Sequence, residues 1–174
     1  MMDQLVQRMI RAAKLEPGLY EEVEADTGAL GQAAIVVVLS SLAGGLGAAQ
    51  LTGSAGVVAT TIASLLGWGV WATVIYVIGA KLLPEPQTEA DVGELMRTIG
   101  FSASPGLLRV FGLVPVIGVL ALLVSSLWML ASMVVAVRQA LDYTGTGRAV
   151  VVCLIGFFVQ MVVIAVLLGP IAAR

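Results

Sequence analysis

Few side chains in this 174-residue sequence carry reactive chemistry. There is no histidine, and the single cysteine, Cys153, lies inside an apolar run. The usual zinc, copper and haem sites and an internal disulfide are therefore unavailable. No aspartate or glutamate falls within the long apolar segments, which removes paired carboxylates at membrane depth. Without histidine the common nucleophile–base pairs are missing too. The glycine-rich GGLG at 44–47 lacks a following Lys-Ser/Thr and is not a phosphate loop. The expectation is a protein that is not an enzyme and uses no metal or cofactor.

Several polar or special residues nevertheless stand in apolar surroundings. Arg109 lies in IGFSASPGLLRVFGLVPVIG, residues 99–118. An arginine at bilayer depth costs about 2.5–3.5 kcal/mol on insertion scales and is a functional candidate on that ground. Near the end of its segment it can instead snorkel to the headgroups, and snorkelling is the reading expected here. Contact with a substrate, lipid or ion is the alternative. In the same stretch Pro105 frees a backbone carbonyl one turn back, and Ser102 and Ser104 can satisfy freed carbonyls. A kink is expected, with a broken-helix binding site of transporter type as the sharper alternative. Gln160 is expected to bridge helices by hydrogen bonds. Gly44 and Gly45 belong to the ladders Ser40-Gly44-Ala48 and Ser41-Gly45-Ala49, whose small residues let helix backbones approach. Packing within one bundle is the ordinary use of such ladders, and self-association the other.

These residues need a membrane scaffold. The chain is 59% hydrophobic and only 11% charged, with a mean hydropathy of +1.03, whereas a soluble domain carries roughly 25% charged residues. The net charge of −2 and the scattered basic residues exclude a nucleic-acid surface. An all-α polytopic bundle follows, with a cytoplasmic segment at 1–28 and a transmembrane domain at 29–170. Residues 2–14 have the spacing of a basic amphipathic helix that could lie on an anionic leaflet. Pro17-Gly18 is expected to stop it, and LYEEVEAD to be solvated. No signal-peptide core precedes the first span, which is expected to do the targeting.

Five spans are expected, at about 29–51, 56–80, 95–113, 116–138 and 148–168, with a turn at QLTGSAG between the first two. Trp68 and Trp71 fall mid-span as packing residues. TEADVGELMR reads as a short helix opened by Thr88 as N-cap, with Asp91 three residues on. As one helix, residues 95–137 would be about 65 Å long, so the chain must fold back at Gly112, Pro115 and Gly118. The last span is expected to end at Gly169-Pro170. With the N-terminus inside, the cytoplasmic side holds Arg8, Arg11, Lys14, Lys81, Arg97, Arg138 and Arg148. Four spans plus a re-entrant segment at 102–114 satisfy the same charge count.

Three blocks carry a resemblance. They are Pro17, Tyr20 and Glu21 before the first span; Arg97, Gly100, Phe101, Ser102 and Pro105 entering the third; and Trp128, Leu130, Ala136, Val137 and Arg138 in the fourth. In order and character they resemble the Yip1-domain family of integral membrane proteins. That resemblance implies five spans with a cytoplasmic N-terminus. It also implies a membrane-organising or adaptor role through helix contacts with itself or other membrane proteins. Eukaryotic members act in Golgi and ER traffic with Rab GTPases and carry a long cytosolic N-terminal region. This chain has about thirty residues there and looks like the short prokaryotic branch, so Rab binding is not carried over. The expected location is a prokaryotic cell membrane. The rival reading is a small transporter or channel for an ion, lipid or small solute, built on the broken third span around Ser102–Arg109.

Overall fold

The computed structural model describes residues 2–114 and 117–172, and the side chains of these except at 49–55, 164 and 166–172. No strand occurs among the described residues. The helices are α1 (Met2–Ala13), α2 (Pro17–Ala25), α3 (Ala29–Gly47), α4 (Ala49–Ile75), α5 (Val92–Ser102), α6 (Gly118–Ala140) and α7 (Thr146–Ala172). A π-helical stretch, Tyr76–Leu82, continues α4, and a 3-10 helix, Ser104–Leu113, follows α5. Four helical stretches among the described residues are long and apolar enough to cross a membrane: Ala29–Gly47, Gly56–Leu82, Gly118–Ala140 and Thr146–Val163. Their outer faces carry exposed apolar side chains such as Leu39, Leu66, Leu127 and Phe158. On a soluble protein this would be a very large sticky surface; on a membrane protein it is the lipid-facing side.

Several elements differ from the sequence-based expectation. Pro17 does not simply stop α1. It begins α2, because proline is tolerated in the first turn, where its missing donor has no intrahelical partner anyway. The segment LYEEVEAD is consequently not a solvated strip: Leu19, Tyr20 and Val23 form one fully buried face. Between α1 and α2 the chain reverses through Leu15 at φ 61°. Glu16 N–H bonds the Arg11 carbonyl at 3.2 Å and Leu15 N–H the Ala12 carbonyl at 3.0 Å, the bond pair of a Schellman cap with leucine where glycine is usual.

The turn expected at QLTGSAG is helical, and the chain turns at Ala48 instead. Helix keeps every backbone group paired without water. The cap of α5 is Asp91, not Thr88: Asp91 accepts from Glu94 N–H at 2.8 Å, and Glu94 accepts from Asp91 N–H at 2.7 Å. A reciprocal capping box outcompetes a lone threonine. Thr88 instead donates to the Leu141 carbonyl. Helix α7 also runs past Gly169-Pro170 to Ala172. Of the expected fold-back residues, Pro115 lies outside the described residues, whereas Gly112 and Gly118 touch.

One end of the molecule gathers the polar chain. Arg8 is buried and bonds Glu22 at 2.9 Å, Asp26 at 2.8 Å and Gln32 at 3.1 Å. Buried Arg97 caps the C-terminal carbonyls of α2, donating to Val23 and Glu24, where a cation meets the negative end of the helix dipole. The linker 83–91 packs on loop 141–146: Gln87 bonds the Asp142 carbonyl, and Thr144 bonds Glu85. Tyr143 reaches the Gly79 and Leu83 carbonyls that end the π-helical stretch. The starts of α3, α5 and α7 and the ends of the α4 stretch and α6 therefore share this end.

Helix α5 and the first turn of the 3-10 helix are buried among α3, α4 and α6, whereas Phe111 and Leu113 near its end are exposed. The whole segment runs parallel to α3. Gly100 lies on Ala33, Gly106 on Ser40, Arg109 on Gly44, and Gly112 on Gly47. Glycine at 47 is required by this approach, because a methyl group there would overlap the Arg109 carbonyl, which is backbone and cannot rotate away; at Gly106 a methyl group would displace the Ser40 hydroxyl.

Candidate functional site

The break between α5 and the 3-10 helix has a local cause. Pro105 has no N–H to give the Phe101 carbonyl, and the Ser104 hydroxyl donates to that carbonyl instead, at 2.7 Å. Ser102 likewise donates to the Ile99 carbonyl at 2.7 Å. Both serines are thereby used locally. From here the chain winds more tightly and rises about 2.0 Å per residue, which brings Arg109 onto the far half of α3.

Arg109 lines a cleft of about 600 Å³ between α3, α4, α6 and α7. This volume is typical of ligand sites. Gly44, Gly45, Ser40, Ser64, Trp68, Trp71, Ser126, Met133 and Gln160 also line it. The Arg109 Nη2 lies 3.4 Å from the Ser126 hydroxyl. Ser126 is eight residues into α6, about 12 Å from its start. The Arg109 backbone is three residues before Gly112, which touches Gly118, and so is only about 6 Å from that level. The guanidinium thus points inward along the bundle, and the expected outward snorkelling does not describe this arrangement.

Gln160 was expected to bridge helices. Its Oε1 is buried and has no hydrogen-bond partner among the described residues, which costs about 1–3 kcal/mol unless something else donates to it. Trp68 and Trp71 are the packing residues anticipated; their N–H groups bond the Met96 carbonyl at 3.0 Å and the Met133 sulfur at 3.3 Å.

The structure divides the candidate residues. Arg109, Gln160, Gly44 and Gly45 come together in the cleft. Ser104, Pro105 and Trp128 line a separate apolar groove of about 350 Å³ against α1, where the Trp128 N–H bonds the Ala13 carbonyl at 2.6 Å. Ser102 is buried beside Met133. The small-residue ladder is engaged within the chain, since Gly44 receives the Arg109 side chain and Gly45 faces Val57 and Thr60. Ser126 and Ser64 escaped the sequence reading; the pair Ser125-Ser126 in an otherwise apolar run was the signal available.

The polar end has its own electrostatics. Burial pushes the Tyr20 hydroxyl up to about 12; it lies 2.6 Å from the Ser132 hydroxyl, and both reach the Ala12 carbonyl. Burial, with Asp142 and Glu94 nearby, raises the Glu24 carboxyl to about 7. Hydrogen bonding from Arg11, and then from Arg8, holds Glu22 below the ordinary carboxylate range.

The Yip1 domain family model matches residues 17–168. No curated protein and no solved structure matches the chain. The family match takes in α2, the long helices up to residue 168 of α7, and every residue lining the cleft. The chain belongs to the Yip1 domain family of membrane proteins.

Proposed function

We propose that this protein is a five-span membrane protein that holds a small polar ligand or lipid headgroup in the cleft beside its broken third span. The α5 and 3-10 segments contribute about 16 Å and 20 Å, enough together for the hydrocarbon thickness of roughly 30 Å. Their parallel course along α3 supports a complete crossing over a re-entrant loop. The polar end carries Arg8, Arg11, Lys14, Lys81, Arg97, Arg138 and Arg148, which supports a cytoplasmic N-terminus in a prokaryotic cell membrane.

The observation that carries the ligand reading is a bundle-centre cleft with an arginine and an unpartnered amide oxygen on its wall. The adaptor reading has less support, because the ladders that would serve self-association are engaged within the chain, at Gly44 by Arg109 of the third segment and at Gly45 by Val57 and Thr60 of α4. The family is not known for enzymes, and the reading is non-enzymatic.

Native mass spectrometry in mild detergent tests the ligand reading. The wild-type protein should carry a bound small molecule or lipid that the cleft-filling variant Ser64→Phe loses while keeping its helical circular dichroism. Equal occupancy in both proteins refutes the reading. For topology, a periplasm-active reporter fused after Arg174 should be active; a reporter found on the cytoplasmic side refutes five crossings.

A further inference from the structure

Resting on the cleft reading above, we infer that the occupant is an anion, a phosphate or carboxylate paired by Arg109, with a neighbouring hydroxyl or amine donating to Gln160. The treatment of the other arginines among the described residues points this way. Arg8 has two carboxylates and an amide, Arg11 has Glu16 and Glu22, and Arg97 has two helix-end carbonyls. Arg138 bonds the carbonyls of 143 and 144, and Arg148 bonds Glu85. Arg109 is half-buried and, among the described residues, has only the Ser126 hydroxyl at 3.4 Å.

A guanidinium has five donors arranged to grip a planar or tetrahedral oxyanion. The protein supplies no such group, since every aspartate and glutamate lies outside the apolar segments. Gln160 adds the second requirement. Its buried Oε1 has no partner among the described residues, so a ligand that carries a hydroxyl or amine beside its negative charge would complete its bonding. The remaining wall, with Trp68, Trp71, Met129 and Met133, suits a carbon skeleton or the start of an acyl chain. Glycerophosphate chemistry satisfies all three demands, either as a lipid headgroup or as a free organic phosphate.

Fluorescence of Trp68 and Trp71, both on the cleft wall, reads occupancy of the purified full-length protein in a non-ionic detergent. Three probes are titrated: short-chain phosphatidylglycerol, glycerol 3-phosphate, and neutral dioctanoylglycerol. A saturable change with at least one anionic probe is expected, with an affinity about tenfold or more above that of the neutral one. Arg109→Gln should weaken the anionic probe about tenfold or more, and Arg109→Lys should retain part of the affinity; gel filtration confirms that both variants fold. Response to the lipid alone assigns a headgroup, and equal response to glycerol 3-phosphate assigns a soluble anion; either outcome supports the anion site. If dioctanoylglycerol binds as tightly and Arg109→Gln changes nothing, the anion assignment is overturned while the cleft reading stands. If none of the probes changes the fluorescence, the anion assignment is overturned, and the native mass spectra of wild type and Ser64→Phe decide the cleft reading.

Discussion

Gly47→Ala tests the packing that holds Arg109 in place. A methyl group at Gly47 would overlap the Arg109 carbonyl oxygen and stand 3.2 Å from its carbon and 3.5 Å from the Gly112 Cα. The obstacle is backbone, so no side-chain rotation relieves it. Restoring an ordinary carbon–oxygen contact of about 3.3 Å requires α3 and the 3-10 helix to separate by about 1 Å. Overpacking of this kind costs about 1–3 kcal/mol, and alanine's helix preference returns up to about 1 kcal/mol. The net expectation, with the full offset, is a loss of up to about 2 kcal/mol. Gly31→Ala is the control, because no atom lies within 4 Å of a methyl group there; it should be neutral or stabilising by up to about 1 kcal/mol. Reversible unfolding in mixed micelles, followed by helical circular dichroism against denaturing-detergent mole fraction, ranks the two. If Gly47→Ala equals or exceeds Gly31→Ala in stability, the close packing of the 3-10 helix on α3 is wrong.

Two further predictions concern the polar end. Leu15→Gly should stabilise the protein by about 1 kcal/mol, because glycine adopts the left-handed conformation at φ 61° without the Cβ penalty; an unchanged or lower unfolding midpoint counts against the cap. The Glu24 carboxyl titrates near 7 in the fold and near 4.5 when exposed. Between those values the folded chain binds more protons, so its contribution to stability is full at low pH and is lost as pH rises through about 7. Glu24→Gln should flatten the stability profile between pH 5 and 7.5, and an unaltered profile refutes the assignment. Glu22 works in the opposite sense, and its stabilisation is lost as pH falls into the acid range.

What the sequence revealed depended on whether a signal was periodic or spatial. The apolar runs of α3, α6 and α7 and the fold-back between Gly112 and Gly118 were readable, because length and hydropathy alone demand them. Helix α2 was hidden by Pro17, since the same residue can end one helix or open the next. The 3-10 helix left no pattern of its own: Ser102, Ser104 and Pro105 announce a break but not the winding after it. Arg109 illustrates the same limit. Its nearness to the segment's end favoured outward snorkelling, yet its direction is set by Gly44 and by Ser126, seventeen positions away. Cleft walls drawn from α3, α4, α6 and α7 have no linear signature at all.

The 3-10 helix also has a mechanical consequence. Ten residues wound this way are about 5 Å longer than the same ten wound as α-helix, and such runs are ordinarily confined to a few residues. Ser104–Leu113 is thus an extended rod held at two points, the Ser40–Gly106 contact and the Gly47–Gly112 contact. Relaxation to α geometry would draw the Gly112 end back toward Ser104 and rotate Arg109 around the segment axis. Displacement of the charge and shortening of the rod would then be one motion, and paired spin labels at Ala103 and Leu113 would register it as a change of about 5 Å. A single unchanging distance between the labels would make the segment a fixed strut.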